Sequence, residues 1–166
     1  QSGPILVTAN NVTLQGLTIN YGETGNITVN NANNFKLYGS YLNTAQDGAT
    51  FMNTYTASQS LVITNSANVE IGGSQAAQRN LFGFCSDSCI SASGSGTTDL
   101  SVKGNYIGLG ADGVESLNGI ELGGVGIRLY NNVSYADIGG AASGEGNSIE
   151  HNMRGALAVE DSNHVT

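Results

Sequence analysis

A five-residue frame recurs along the chain: an apolar residue, an outward residue, a second apolar residue, another outward one, then glycine. Its complete instances are Val12-Thr13-Leu14-Gln15-Gly16, Phe35-Lys36-Leu37-Tyr38-Gly39, Val69-Glu70-Ile71-Gly72-Gly73, Leu100-Ser101-Val102-Lys103-Gly104 and Ala136-Asp137-Ile138-Gly139-Gly140. A sixth begins at Val165. The alternation predicts a very short strand with one buried face. The fixed final glycine marks a backbone position with φ > 0, which only glycine takes freely. Gly16, Gly39, Gly73, Gly104 and Gly140 are therefore read as turn glycines. The residue before each frame is Asn11, Asn34, Asn68, Asp99, Tyr135 or His164. Asn and Asp tolerate left-handed geometry and bond their local backbone. Stacked at one corner, such side chains also bond one another, so Asn11, Asn34 and Asn68 are read as a corner ladder.

An alternating apolar pair lies upstream of each frame: Ile5/Val7, Ile27/Val29, Leu61/Ile63, Ile90/Ala92, Ile127/Leu129 and Leu157/Val159. A weaker third strand follows the glycine, at Leu17–Ile19, Tyr41-Leu42, Leu81, Tyr106-Ile107 and Ile149. Good helix formers are scarce, and the chain holds 24 Gly and 20 Asn but a single Pro. These features favour turns and strands over helices. So many tiny strands suit a solenoid, in which each coil borrows its core from its neighbours. The expected fold is an all-β parallel β-helix with three short strands per coil and five to six coils, with no capping helix evident. Coil starts at 5, 27, 61, 90, 127 and 157 are unequally spaced because loops leave the solenoid, mostly after the glycine. A longer period also shows. Ile71-Gly72-Gly73 with Asn80 matches Ile138-Gly139-Gly140 with Asn147 at an offset of 67. The whole of 1–166 reads as one domain. At about 4.8 Å per coil it makes a stub of about 25 Å, whose edges would pair with further strands. It is expected to be a segment of a longer solenoid or a unit that stacks head-to-tail.

Charge narrows the partners. Five Lys and Arg stand against 13 Asp and Glu, a net charge of −8. That argues against nucleic acid, which needs clustered Lys and Arg, and against an anionic membrane surface. No apolar run approaches the roughly 20 residues of a membrane span. No export signal is visible, since Gln1 opens directly into sequence of folded character.

Gly104-Asn105-Tyr106-Ile107-Gly108, Asp112-Gly113, Asn118-Gly119-Ile120 and the stretch from Ile138-Gly139-Gly140 to Asn147-Ser148-Ile149 resemble the repeats of bacterial right-handed parallel β-helix proteins, the solenoid fold of the pectate-lyase type. The similarity covers nearly the whole chain and is clearest from about Asn68 onward. The resemblance implies a right-handed solenoid and an extracellular or cell-surface location. It implies a fold more strongly than an activity.

Candidate chemistry is sparse. Cys85 and Cys89 flank Ser-Asp-Ser. Two cysteines with no nearby His make a poor zinc site, and the two-residue spacing of a redox motif is absent. A small disulfide clamping one loop is favoured over free thiols in an exported protein. Asp47-Gly48 and Asp112-Gly113 fill equivalent loops. Tight turns are favoured there over calcium, for which Asp47, Asp112 and Glu115 are the weak candidates. No other cofactor is expected. The resemblance raises polysaccharide chemistry, since such solenoids often bind or cleave acidic polysaccharides with clustered carboxylates and a basic residue. Glu150, His151 and Arg154 could act as acid and base if they faced a groove. His164 fills a slot held by Asn elsewhere, so its structural reading is simpler. Tyr38 and Tyr130 are outward aromatics that could stack on sugar rings. Ice binding would need outward Thr rows, which Lys36, Glu70 and Asp137 break. Three triplets, at Asn11, Asn26 and Asn132, satisfy the glycosylation pattern, as chance allows in so Asn-rich a chain. The favoured function is an exported structural or adhesive surface protein; self-association through its solenoid edges belongs to the stacking-unit reading, and the excerpt of a longer solenoid is the favoured one of the two. The alternative is a polysaccharide-binding or polysaccharide-cleaving solenoid of lyase or glycoside-hydrolase type, with its site in the protruding loops.

Overall fold

The computed structural model describes residues 4–20, 25–50, 58–83, 85–114 and 124–166. They form a parallel β-helix of six coils. The first coil holds β1 (Ile5–Val7), β2 (Thr13–Gln15) and β3 (Thr18–Ile19). The second holds β4 (Ile27–Asn30), β5 (Lys36–Tyr38) and β6 (Tyr41–Leu42). The third holds β7 (Gln59–Thr64), β8 (Val69–Gly72) and β9 (Leu81–Phe82), with a 3-10 turn at Ala76–Gln78. The fourth holds β10 (Ser88–Ser93), β11 (Thr98–Lys103) and β12 (Tyr106–Ile107). The fifth holds β13 (Val125–Tyr130), β14 (Ser134–Ile138) and β15 (Ser148–Ile149). The sixth holds β16 (Gly155–Val159) and β17 (Asn163–Val165).

Every third strand pairs in parallel with its counterpart one coil away. Sheet A runs β1-β4-β7-β10-β13-β16, sheet B runs β2-β5-β8-β11-β14-β17, and sheet C runs β3-β6-β9-β12-β15. Strands this short cannot hold a core within one coil. The register supplies it by stacking like on like. In sheet A, Ile5, Ile27, Leu61, Ile90, Ile127 and Leu157 lie in one row. In sheet B the row is Leu14, Leu37, Ile71, Val102 and Ile138. In sheet C it is Ile19, Leu42, Phe82, Ile107 and Ile149. Members of these rows on the middle coils are fully buried, each worth about 1.5–3 kcal/mol of apolar transfer.

The corner before each frame is left-handed throughout: Asn11, Asn34, Asn68, Asp99, Tyr135 and His164 all have φ between 53° and 61°. Asn34 Nδ2 donates to Asn11 Oδ1 at 2.8 Å. Asn68 shares the conformation without extending that side-chain bond. Gly16, Gly39 and Gly104 take positive φ, but the left-handed residue of the third and fifth coils is Gly72 and Gly139, not Gly73 and Gly140. Those coils turn one residue early. Gly73 and Gly140 lie instead beneath the ends of two long side chains, where a Cβ would sit 2.4 Å from Gln78 Oε1 at the first and 2.1 Å from Glu145 Oε2 at the second.

A second ladder runs inside the corner between sheets B and C. The Ser40 N–H donates to Asn80 Oδ1 at 2.9 Å, Asn80 Nδ2 to Asn105 Oδ1 at 3.0 Å, and Asn105 Nδ2 to Asn147 Oδ1 at 3.1 Å. Its middle members are fully buried, so the ladder satisfies backbone and side chain together where water cannot. A buried polar file also joins Asn26 and Asn43, at the start and end of the second coil, to Ser60 on the third and reaches Cys85 Sγ, 3.2 Å from Ser60 Oγ. Cys85 and Cys89 are bonded in a disulfide, with their Cα atoms 5.2 Å apart.

Candidate functional site

The outer face of sheet B carries the densest polar chemistry among the described residues. Register stacks Thr13, Lys36, Glu70, Ser101 and Asp137 in one outward row. Asp99, Tyr135 and His164 flank it, because the left-handed corner turns their side chains outward. Two shallow hollows that share Asp99 and Ser101 lie along the row and together make a groove, one lined by Gly72, Gly73, Lys103 and Glu145 and the other by Tyr135, Asp137, His164 and Thr166. Gly72 occupies the register position that holds Lys103 on the next coil, and a Cβ there would lie 2.2 Å from the Lys103 carbonyl oxygen. Tyr135 and His164 stack with ring centroids 4.7 Å apart and an 18° interplanar angle. Tyr135 is 57% exposed, so this pair forms an aromatic ledge beside the groove.

The charges along this face tie coils together. Lys36 Nζ lies 2.9 Å from Glu70 Oε1, and the Tyr38 hydroxyl donates to Glu70 Oε2. The Tyr38 bond, followed by Lys36, holds the Glu70 carboxyl below its ordinary value. Glu70 in turn raises Lys36, while partial burial, then Glu70, raises Tyr38. Lys103 Nζ lies 3.2 Å from Glu145 Oε1 and lowers the Glu145 carboxyl. On sheet A, Arg128 grips Glu160 through two bonds of 3.2 and 2.9 Å and covers the Tyr130 ring at 4.9 Å. Arg79 donates to the Gly104 carbonyl at 3.1 Å and lies 4.1 Å over the Tyr106 ring. Four of the five basic side chains are thus engaged with a neighbouring coil.

The residues singled out from sequence do not converge. Tyr38 lies on sheet B and Tyr130 on sheet A, so they cannot flank one ligand. Glu150 Oε2 is 3.8 Å from His151 Nε2 in the exposed loop before β16. Arg154 shares that loop and joins no ion pair among the described residues. Asp47 Oδ1 accepts the N–H groups of Ala49 and Thr50 at 2.9 and 3.0 Å, and Oδ2 accepts the Thr50 hydroxyl at 2.8 Å. These bonds lower its pKa. Asp112 Oδ1 accepts the Val114 N–H at 2.9 Å. Gly48 and Gly113 are left-handed, as tight turns require. The Ala111 N–H donates to the Gly48 carbonyl at 2.9 Å, so the two Asp-Gly loops stack. Glu115 lies outside the described residues. No group of three His, Cys, Asp or Glu side chains is placed to hold a metal among the described residues. Of the three glycosylation triplets, Asn26 is buried, while Asn11 and Asn132 are exposed.

The groove itself was not anticipated. Tyr135 and His164 occupy corner slots, and the frame alignment puts them one coil apart. That alignment was the available signal. No family model, no curated protein and no solved structure matches the chain.

Proposed function

We propose that this chain is a structural segment of an extracellular or cell-surface solenoid, a stiff scaffold rather than a catalyst. The observation that carries the reading is the use of its charge: four of five basic groups bind across coils, and Glu70, Glu145 and Glu160 are their partners. The buried asparagine ladder and the parallel register act in the same direction. The Cys85–Cys89 disulfide supports an extracellular placement, because such bonds persist in oxidising compartments.

A second reading is favoured by one feature, the groove with the Tyr135–His164 ledge. It would make sheet B a carbohydrate-binding face. Asp99 and Asp137 beside the ledge would favour neutral or amino sugars over acidic ones.

A glycan-binding and cleavage screen on the intact chain, run with Tyr135→Ala, separates the two. The scaffold reading expects no saturable binding and no cleavage products. Saturable binding lost in Tyr135→Ala would replace it with the second reading.

A further inference from the structure

We infer that the loop 140–146 of the fifth coil is a clasp on the corner of the fourth, held shut by the Lys103–Glu145 ion pair and released when that pair is neutralised or screened. The inference goes beyond the scaffold reading and does not depend on it.

The chain carries its own comparison. At the offset of 67, loop 140–146 corresponds to loop 73–79, which links β8 to β9 on the third coil. Both loops fold back onto the turn glycine one coil earlier. The Gly39 N–H donates to the Gln78 carbonyl at 3.1 Å, and the Gly104 N–H to the Glu145 carbonyl at 3.0 Å. Both close on themselves through the same side-chain position. Gln78 Oε1 accepts the Gln75 N–H at 3.3 Å, and Glu145 Oε2 accepts the Ala142 N–H at 3.2 Å. The approach is equally close: a Cβ on Gly39 would lie 2.6 Å from the Ala77 carbonyl oxygen, and one on Gly104 2.6 Å from that of Gly144.

The anchors differ. Arg79 fastens the earlier loop, donating to the Gly104 carbonyl at 3.1 Å and covering the Tyr106 ring at 4.1 Å. Arg keeps its charge at every accessible pH. Gly146 stands in that slot of the later loop, and a Cβ on it would meet nothing within 4 Å. Glu145 is the one residue from 140 to 146 that is not fully exposed. Lys103 Nζ, 3.2 Å from Glu145 Oε1, therefore supplies the hold that Arg79 supplies on the third coil. The earlier loop has the neutral Gln78 at the equivalent position, so it has no carboxylate to lose.

Release follows from the groups around the carboxylate. Lys103, on β11, and the Ala142 N–H favour the charged form of Glu145, and Asp137, on β14, opposes it. Glu70 and Asp99 line the same hollow. The balance holds the Glu145 carboxyl below its ordinary value. The clasp is thus held at neutral pH and loses its hold as pH falls through that lowered value. Salt weakens a pair at the surface as well. Left-handed Gly139, with φ 97°, and unhindered Gly146 bracket the loop as hinge points. Opening takes the Glu145 carbonyl off the buried Gly104 N–H and removes Glu145 from the lining of the hollow.

The test is hydrogen exchange of the intact chain, read at Gly104 and over 140–146, with 73–79 as the internal reference. Glu145→Gln keeps the acceptor that Gln78 uses and removes only the charge. At neutral pH and low salt, Glu145→Gln and Lys103→Met should each speed exchange in 140–146 by about 2–5-fold, the range of a surface ion pair. The double variant should add little, and 73–79 should not change in any of the three. Sodium chloride at about 1 M, where the Debye length is about 3 Å, should loosen the wild-type loop and do nothing further to Glu145→Gln. Corrected for the intrinsic pH dependence of exchange, wild-type protection at Gly104 should fall as pH drops below the ordinary carboxyl value of 4.5, and fall less in Glu145→Gln. Gly144→Ala, whose Cβ would lie 2.1 Å from the Ser74 carbonyl oxygen, forces the clasp off without touching the charge and gives the exchange rate of the open loop. Equal exchange in the wild type and both charge variants would overturn the clasp. So would a loss of protection in those variants that spreads to 73–79, which would mean general destabilisation. Should Lys103→Met fail to fold, Glu145→Gln and the salt series decide the matter. Either result leaves the scaffold reading standing, since that reading falls only to saturable glycan binding or cleavage.

Discussion

Replacing Asn105 by alanine isolates the stabilisation supplied by the buried ladder. Asn105 is fully buried. Its Nδ2 donates to the carbonyls of Ile71 at 2.9 Å and Lys103 at 3.0 Å, and to Asn147 Oδ1 at 3.1 Å. Its Oδ1 accepts from the Asn80 N–H at 3.2 Å and from Asn80 Nδ2 at 3.0 Å. Alanine removes all five bonds and leaves the Ile71 carbonyl and the Asn80 N–H without these partners inside the solenoid. Each buried group left unsatisfied costs about 1–3 kcal/mol, so the pair gives about 4 kcal/mol. For a chain of this size that is a fall of about 8–16 °C in Tm. The control is Asn34→Ala at the outer corner. It loses one bond and the tolerance of asparagine for φ 59°, together about 1–2 kcal/mol. Urea denaturation followed by circular dichroism, with calorimetry for Tm, measures both. Asn105→Ser should recover part of the loss, because Ser40 fills the same slot on the second coil. If Asn105→Ala costs no more than Asn34→Ala, the ladder is incidental and the argument fails.

Four further outcomes are expected. Gly104→Val should abolish the soluble folded chain, because φ is 67° and a Cβ would lie 2.2 Å from the Gly73 carbonyl oxygen. Gly16→Ala has the same φ and open space, so it should cost only about 1–2 kcal/mol, read by urea denaturation. Cys85→Ala with Cys89→Ala should lower stability by about 2 kcal/mol, the loop-closure value for so short a ring, checked against the oxidised wild type. The lowered carboxyls of Glu70, Glu145 and Glu160 contribute stability that is present above their unfolded value of 4.5 and lost as pH falls through their folded values. An acid titration of Tm should therefore fall below about pH 4.5 and fall less steeply in Glu70→Gln.

The frame was legible because its two constraints are local. Alternation marks the buried face, and left-handed geometry marks the corner, where all six residues from Asn11 to His164 take positive φ. The turn glycines were legible only in part. Gly72-Gly73 and Gly139-Gly140 offer two candidates each, and the first of each pair is the left-handed one. The inner ladder was visible as a match between Asn80 and Asn147 but not as a ladder. Ser40 breaks the pattern, and inward direction is a property of the whole coil. The separation of Tyr38 from Tyr130 was legible, since the first lies inside the frame and the second follows the upstream pair Ile127/Leu129. Unequal loops hid the pairing of Lys36 with Glu70, 34 positions apart in sequence and adjacent in register.

The arrangement of charge also bears on how such a solenoid fails. A solenoid is held by contacts between neighbouring coils, so its weakest junction limits the whole. The ion pairs Lys36–Glu70, Lys103–Glu145 and Arg128–Glu160 tie successive pairs of coils from the second to the last. Arg79, reaching from the third coil to Gly104 on the fourth, fills the remaining interval. The junction between the first and second coils has no such tie among the described residues. It has Asn34–Asn11 and the backbone ladder, over a core row whose outer members are half exposed. Surface ion pairs are individually weak, so the first coil should fray at little cost. Hydrogen exchange should show β1 and β2 opening before β7 to β11.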